Sequence, residues 1–249
     1  YLHLADEAGL AFEKLFLGKL DQYLNDDIPV QHLIGHSYFF GHKFKVNQDV
    51  LIPRSETEQL VEHVLYYYDQ YFNDEKLEVL DLGTGTGCIP LAIKAKRPSW
   101  QVSAIDVSED ALALARTNAL SLALDVHFEA ADLLKDFSGL TIKDKFNVVI
   151  SNPPYIPNAD AMSMLPNVLN HEPHLALFVP DSDPLLFYRR IVAFSEQYLE
   201  IEGYVFVEIH EGLSEETIQV FHQAGFANIE LRKDLQGKPR MIKAQRVSL

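Results

Sequence analysis
Five consecutive residues, Ser151-Asn152-Pro153-Pro154-Tyr155, have the types and spacing for chemistry. They follow Phe146-Asn147-Val148-Val149-Ile150, an apolar, β-branched run that reads as a buried parallel strand, so the motif falls on the loop at that strand's carboxyl end. Open α/β sheets bind their ligands at that end. Two prolines in succession fix two φ angles, delete two N–H donors and hold the residue before each extended. The loop is therefore stiff, and its carbonyls point outward without competing donors. The Asn152 side-chain carbonyl and the Pro153 main-chain carbonyl then make two acceptors at one spot, which suits an NH2 group. Tyr155 adds a flat ring that stacks on a planar amide or base, or lies against a cationic centre. An amide or aryl NH2 is a poor nucleophile because its lone pair is delocalised. Accepting both of its hydrogens draws the nitrogen toward a tetrahedral form, which activates it without a general base. Taken alone, Asn-Pro-Pro-Tyr also reads as a rigid turn, since Asn-Pro opens turns; the companion motifs decide between the two.

The strand Leu77 to Leu82 runs into Gly83-Thr84-Gly85-Thr86-Gly87 and then a helix from about Ile89 to Lys96, closed by Pro98. Strand, glycine turn and helix form a nucleotide-type binding unit, because glycines permit close backbone approach and the helix N-terminus receives a carboxylate or phosphate. The spacing is G-x-G-x-G. A dinucleotide fingerprint wants its third glycine at position 88, which is Cys88, and this argues against a nicotinamide or flavin. Cys88 itself reads as a small packed residue. A second strand, about Gln101 to Ile105, ends at Asp106, nineteen residues after Gly87, where an acid grips the two hydroxyls of an adenosine ribose. A third, about Val126 to Glu129, leads to Asp132 and Leu133, placed to meet an adenine's NH2 and face, or else Asp132 is an exposed loop carboxylate. Successive strand ends bring candidate ligand groups to one rim of one sheet.

The remaining elements position this rim. Residues from about Asp6 to Asp27 carry a helical stripe at Leu10, Leu15, Phe16, Leu20, Tyr23 and Leu24 that ends before Pro29. Tyr38 to Val46 reads as a hairpin broken at Gly41. Ser55 with Glu58 reads as a capping box opening a helix whose apolar face is Leu60, Val61, Val64, Leu65 and Tyr68, with Arg54 and Thr57 at the end that favours anions. Ser108 caps a helix from Glu109 to about Leu122. A long loop from Asn158 to His174, with Glu172 and Pro173 in it, has the length of a functional lid. Helix (Pro184 to Tyr198), strand (Tyr204 to Ile209), helix (Ser214 to Ala224) and two short strands (Asn228 to Arg232, Met241 to Ala244) complete the chain. The last two lack room for a crossover helix and must form an antiparallel hairpin.

Composition narrows the function classes. The chain has 249 residues with 47% apolar content, enough to bury a full core. No apolar run approaches the roughly 18 residues of a membrane span, and Asp6 and Glu7 near the start leave no signal-peptide pattern. Tyr1 stands where an initiator methionine would, so further N-terminal residues are expected. A single cysteine rules out an internal disulfide and fits the reducing cytoplasm, and ten histidines show no metal-ligand spacing, so no metal is expected. The net charge of −15 disfavours binding through nucleic-acid phosphates.

Together, Asp81-Leu82 before the glycine turn, Asp106, Asn152-Pro153-Pro154-Tyr155 and the terminal hairpin resemble the class I S-adenosylmethionine-dependent methyltransferases that act on planar NH2 groups. The chain is similar throughout to the bacterial release factor glutamine methyltransferases, also in Pro29 to Gly35, in Leu51 to Glu58 and in Glu172-Pro173. It departs in Ser55, where the family usually has proline, and in a shorter helical N-terminus. The resemblance implies an α/β, Rossmann-like sheet, mostly parallel with an antiparallel C-terminal hairpin. It implies three parts: residues 1–35 as a helical substrate-recognition domain, 36–52 as a linking β-hairpin and 53–249 as the S-adenosylmethionine-dependent domain. Gly83, Thr84, Gly85, Thr86 and Gly87 would contact the methionine part of the cofactor, Asp106 the ribose, and Asp132 with Leu133 the adenine. Asn152 and the Pro153 carbonyl would hold the substrate amide, with Pro154 and Tyr155 beside it and Asn152 also near the cofactor. The implied substrate is the glutamine of the Gly-Gly-Gln motif of peptide chain release factors 1 and 2, methylated on its side-chain nitrogen. The alternatives are an N6-adenine methyltransferase of DNA or RNA, which uses a similar loop on a flipped base, and a non-catalytic adenosine-binding module.

Overall fold
The computed structural model describes residues 2–71, 76–137, 139–142 and 145–248. A seven-stranded sheet organises them. Its strands are β3 (Glu78–Leu82), β4 (Gln101–Asp106), β5 (His127–Ala130), β6 (Phe146–Ser151), β9 (Leu199–Glu208), β10 (Phe226–Lys233) and β11 (Pro239–Arg246), in the spatial order β10-β11-β9-β6-β3-β4-β5. Neighbours from β5 through β9 are parallel; β11 pairs antiparallel with both β9 and β10. The turn between the last two strands admits no crossover, so the chain reverses there.

Period-2 alternation sends side chains to two apolar cores. Val79, Val102, Ala104, Val148, Ile150 and Phe206 face helices α3 (Ser55–Tyr71), α4 (Cys88–Lys96) and α5 (Glu109–Leu122). Leu80, Leu82, Ile105, Val149, Val205 and Val207 face α7 (Leu186–Tyr198) and α8 (Ser214–Gln223). Both faces being covered explains why these strands read as continuous apolar runs. From β3 the chain proceeds outward through β4 and β5, then returns to lay β6 on the other side of β3. This reversal opens a crevice at the carboxyl ends of β3 and β6.

Ahead of the sheet come α1 (Leu2–Asn25), α2 (Val30–Ile34) and the hairpin β1 (His36–Phe39) with β2 (His42–Lys45). Phe40 and Gly41 both take positive φ, the twist that a two-residue hairpin turn demands. The expected helical stripe of α1 exists, but Leu10, Leu15, Phe16, Tyr23 and Leu24 are exposed. Between β6 and α7 the long loop folds as a short parallel pair, β7 (Ile156–Pro157) with β8 (Phe178–Val179), around α6 (Pro166–Leu169) and two 3-10 turns.

One expectation fails. Ser55 does not cap α3: it is the helix's first residue, and its hydroxyl donates to Glu56. Glu58 accepts instead from the Phe40 amide of the hairpin turn at 2.7 Å. The local reciprocal pair loses because the hairpin lies against α3 and presents an amide that has no strand partner. By contrast, the Ser108 hydroxyl accepts from the Ala111 amide, as its cap position predicts.

Candidate active site
A cleft of about 410 Å³ lies in the crevice. Gly83, Thr84, Gly85 and Thr86 line it, with Asp106, Asp132, Leu133, Asn152, Pro153 and Pro154. The strand ends therefore converge as the spacing predicts. Two predicted residues do not line it: Gly87 and Tyr155.

The glycine turn is held by its neighbours. Gly83 and Thr84 donate their amides to the Ile105 carbonyl, which ties the turn to the end of β4. Gly87 caps α4 in the left-handed region, and a Cβ there would stand 3.1 Å from Ala115 Cβ and 3.2 Å from Leu91 Cδ1. Its role is therefore packing of α4 against α5 as much as backbone freedom. Asp106 accepts from the Gly85 amide at 2.8 Å and from the Ser108 amide at 2.9 Å. Burial pushes its carboxyl up, and these amides work against that shift. The carboxylate thus shapes the turn while lining the cleft. Asp132 accepts from the Leu134 amide and keeps Lys135 Nζ at 3.5 Å.

Asp81, fully buried beneath the turn, carries a carboxyl whose two oxygens lack hydrogen-bond partners. Burial raises it to about 7; the adjacent Thr84 hydroxyl opposes the rise without reaching bonding geometry, and Asp106 adds to it. Asp81 does not line the cleft, and its carboxyl lies under the glycine turn that does. Asp49, Asp106, Asp110 and Asp132 stand on the cleft's walls, against one lining cation among the described residues, Arg54, which Glu172 neutralises. A carboxylate-rich wall suits a ligand with sulfonium and ammonium charges better than a pyrophosphate. Among the described residues no group of three or more His, Cys, Asp or Glu forms a metal site.

The Asn152 loop is fixed from below and from the side. Ser151 donates its hydroxyl to the Leu82 carbonyl at 2.7 Å, binding the end of β6 to the end of β3. Asn152 Nδ2 donates to Thr57 Oγ1 at 3.0 Å, and Thr57 donates on to Glu208 Oε2 at 2.7 Å. Tyr155 turns out of the cleft: its hydroxyl donates to Glu208 Oε1 at 2.9 Å, and its ring meets His210 edge-on at 6.1 Å. Burial and the Glu208 charge push the Tyr155 hydroxyl well up, so it stays a donor. Glu208, the last residue of β9, is 2% exposed. No sequence signal marked Glu208, because an acid ending an apolar strand has no short-range signature. Thr57 was legible only as a neighbour of the anion-favouring helix start.

Glu172, from the loop predicted as a lid, is also buried. It accepts from the Ile52 amide at 2.9 Å and pairs with Arg54. These contacts clamp the loop to the chain entering α3, which forms one wall of the cleft.

The methyltransferase small domain model matches residues 59–173. The release factor glutamine methyltransferase of Flavobacterium psychrophilum is 40% identical over 88% of this chain and 76% of its own. That of Bacillus cereus is 37% identical over 98% and 85%, and that of Streptococcus pneumoniae 38% over 96% and 82%. Among solved structures, a methyltransferase from Pyrococcus furiosus superposes with TM-score 0.59 at 14% identity, covering 96% of this chain and 99% of that one. The N-terminal domain of human METTL16 in complex with SAH gives 0.60 at 14%, covering 84% and 77%. With its Asn152-Pro153-Pro154 segment and glycine turn meeting in one cleft of a class I methyltransferase sheet, the chain belongs to the release factor glutamine methyltransferase family.

Proposed function
We propose that this protein transfers a methyl group from S-adenosylmethionine to the side-chain amide nitrogen of the glutamine in the Gly-Gly-Gln motif of peptide chain release factors. One observation carries the reading at the level of residues. The Asn152 NH2 is committed to Thr57, which leaves Oδ1 and the Pro153 carbonyl as a pair of acceptors beside the glycine turn. An incoming amide NH2 finds both hydrogens received there, and its lone pair is left to point at the methyl donor. The cofactor supplies an electrophilic methyl on a sulfonium. Gly83 to Thr86 suit its methionine end, with Asp81 buried beneath them, Asp106 its ribose, and Asp132 with Leu133 its adenine. Gly87 and Tyr155 contribute from behind, the first by packing α4 and the second by bracing the loop through Glu208.

Catalysis in this reading comes from positioning and from hydrogen-bond polarisation. No base is required at the nitrogen until after methyl transfer, when the proton leaves a nitrogen that has become acidic. The release factors of the relatives' names support the substrate class, and we assign residues 1–35 to receiving it. The cytoplasm, where release factors work, is the expected compartment; no helix among the described residues is long and apolar enough to cross a membrane.

Labelled S-adenosylmethionine offered with a release factor, the factor's Gln→Ala variant and duplex DNA in parallel tests the reading. Label on the intact factor alone is expected. Label on DNA would replace the reading with that of an adenine methyltransferase.

A further inference from the structure
The cleft's acceptor pair depends on which end of the Asn152 amide faces inward, and Asn152 does not decide this itself. An amide flipped by half a turn would present NH2 to an incoming NH2, donor against donor. The orientation is imposed by Thr57 Oγ1, which sits 3.0 Å from Asn152 Nδ2. A hydroxyl has one hydrogen, and the hydrogen of Thr57 is given to Glu208 Oε2 at 2.7 Å. Toward Asn152 the threonine is thus an acceptor only. The second oxygen of the same carboxylate receives the Tyr155 hydroxyl at 2.9 Å, so one buried group holds two residues of the loop.

Resting on the proposed role of Asn152, we infer that Glu208 and Thr57 are positioning residues of the methyl transfer: the carboxylate, acting through the threonine hydroxyl, keeps the Asn152 carbonyl turned to the substrate amide. Both are buried, both lie outside the Asn-Pro-Pro-Tyr motif, and Glu208 is absent from the cleft wall. Thr57 reaches the cleft wall beside Asn152 and Glu208 lies behind it, so their contribution is to orientation.

The relay is sensitive to one proton. Protonated on Oε2, Glu208 would donate to Thr57, whose own hydrogen would then turn to Asn152 Oδ1 and favour the flipped amide. The groups facing Glu208 are Thr57 and Glu56 from α3, Tyr155 from the loop, Arg240 from β11 and Tyr188 from α7. Burial raises the carboxyl, while Thr57, Tyr155 and Arg240 hold it down and Glu56 adds to the rise. Turnover is therefore expected to fall on the acid side through Glu208.

Steady-state kinetics on a purified release factor test this with Thr57→Val, Thr57→Ser, Glu208→Gln and Asn152→Ala, S-adenosylhomocysteine binding by calorimetry serving as the check on fold and cofactor site. Thr57→Val is expected to lower kcat about tenfold to a hundredfold, the size that outer partners of a site group carry, with cofactor affinity unchanged. Thr57→Ser restores the hydroxyl and is expected to restore kcat. Combined with Asn152→Ala, Thr57→Val should add no further loss, since the two act as a unit. The acid-side fall in kcat should be absent from Glu208→Gln. Full kcat in Thr57→Val, beside a crippled Asn152→Ala, would overturn the relay and leave the site reading standing. Full kcat in Asn152→Ala would remove both. An equal loss in Thr57→Ser and Thr57→Val with intact cofactor binding, or a persisting acid limb in Glu208→Gln, would also overturn the relay.

Discussion
At the scale of single residues, the cleft works by deciding which polar groups are left without partners. Asn152 gives its NH2 away to Thr57 and keeps Oδ1, while Pro153 has no N–H to compete with its neighbours' acceptors. Asn152→Ala is expected to cut kcat by roughly 10² to 10³, the cost of losing one preorganised hydrogen-bonding group, and to leave S-adenosylhomocysteine binding in place by calorimetry. Asp81 is the opposite case, a buried carboxyl with both oxygens unsatisfied. Its folded value of about 7 lies above the ordinary 3.8, so the folded chain holds a proton that the unfolded chain releases. Its contribution to stability is full below pH 3.8 and is lost as pH rises through about 7. Thermal melts of ligand-free protein across that window should therefore show Asp81→Asn losing less stability toward high pH than the wild type. Equal losses in both proteins would mean that the carboxyl already has a partner.

Elements matter here through the joints between them. The third glycine of the turn is needed where α4 approaches α5. Gly87→Ala adds a Cβ at 3.1 Å from Ala115 in a residue with φ of 77°. That combination costs about 1–3 kcal/mol, which lowers Tm by roughly 2–12 °C for a chain of this size. Gly85→Ala carries the φ of 52° but meets no atom within 4 Å, so its Tm should fall less while cofactor binding weakens. Differential scanning calorimetry of the two variants separates packing from backbone strain. Glu172 makes the second joint. Glu172→Ala leaves the buried Ile52 amide without an acceptor and frees Arg54, a loss of about 1–3 kcal/mol for the orphaned donor. A lower midpoint in urea with an unchanged slope is the expected reading.

For the whole molecule, the sheet order brings five strand ends to one rim, and the net charge sets what can approach it. A chain at −15 with an acidic cleft has no field to gather nucleic-acid phosphates. Fluorescence anisotropy with a labelled duplex at about 0.1 M salt should show no binding in the range of about 10⁻⁴–10⁻⁶ M typical of non-specific binders. The exposed apolar residues of α1, Leu10, Leu15 and Phe16 among them, lie outside both cores of the sheet.

What the chain states in sequence is whatever depends on neighbours along it. The apolar runs of β3, β4 and β6, the turn Gly83 to Gly87 and the cap at Ser108 all follow from local sterics and period, and the structure has each in place. From these the sheet, its hairpin and most of the cleft were legible, as was Cys88, whose thiol burial pushes up to about 12. Tertiary structure alone decided the partners of the buried carboxylates. Thr57 meets Glu208 across 151 positions, Asn152 meets Thr57 across 95, and Ile52 meets Glu172 across 120. It also diverted Glu58 from the capping box to Phe40 and turned Tyr155 from the cleft to Glu208. A carboxylate with several donors within reach of its type takes the ones that packing brings alongside and shields from water. Which strand lies beside which helix is settled only when the apolar faces have closed on each other.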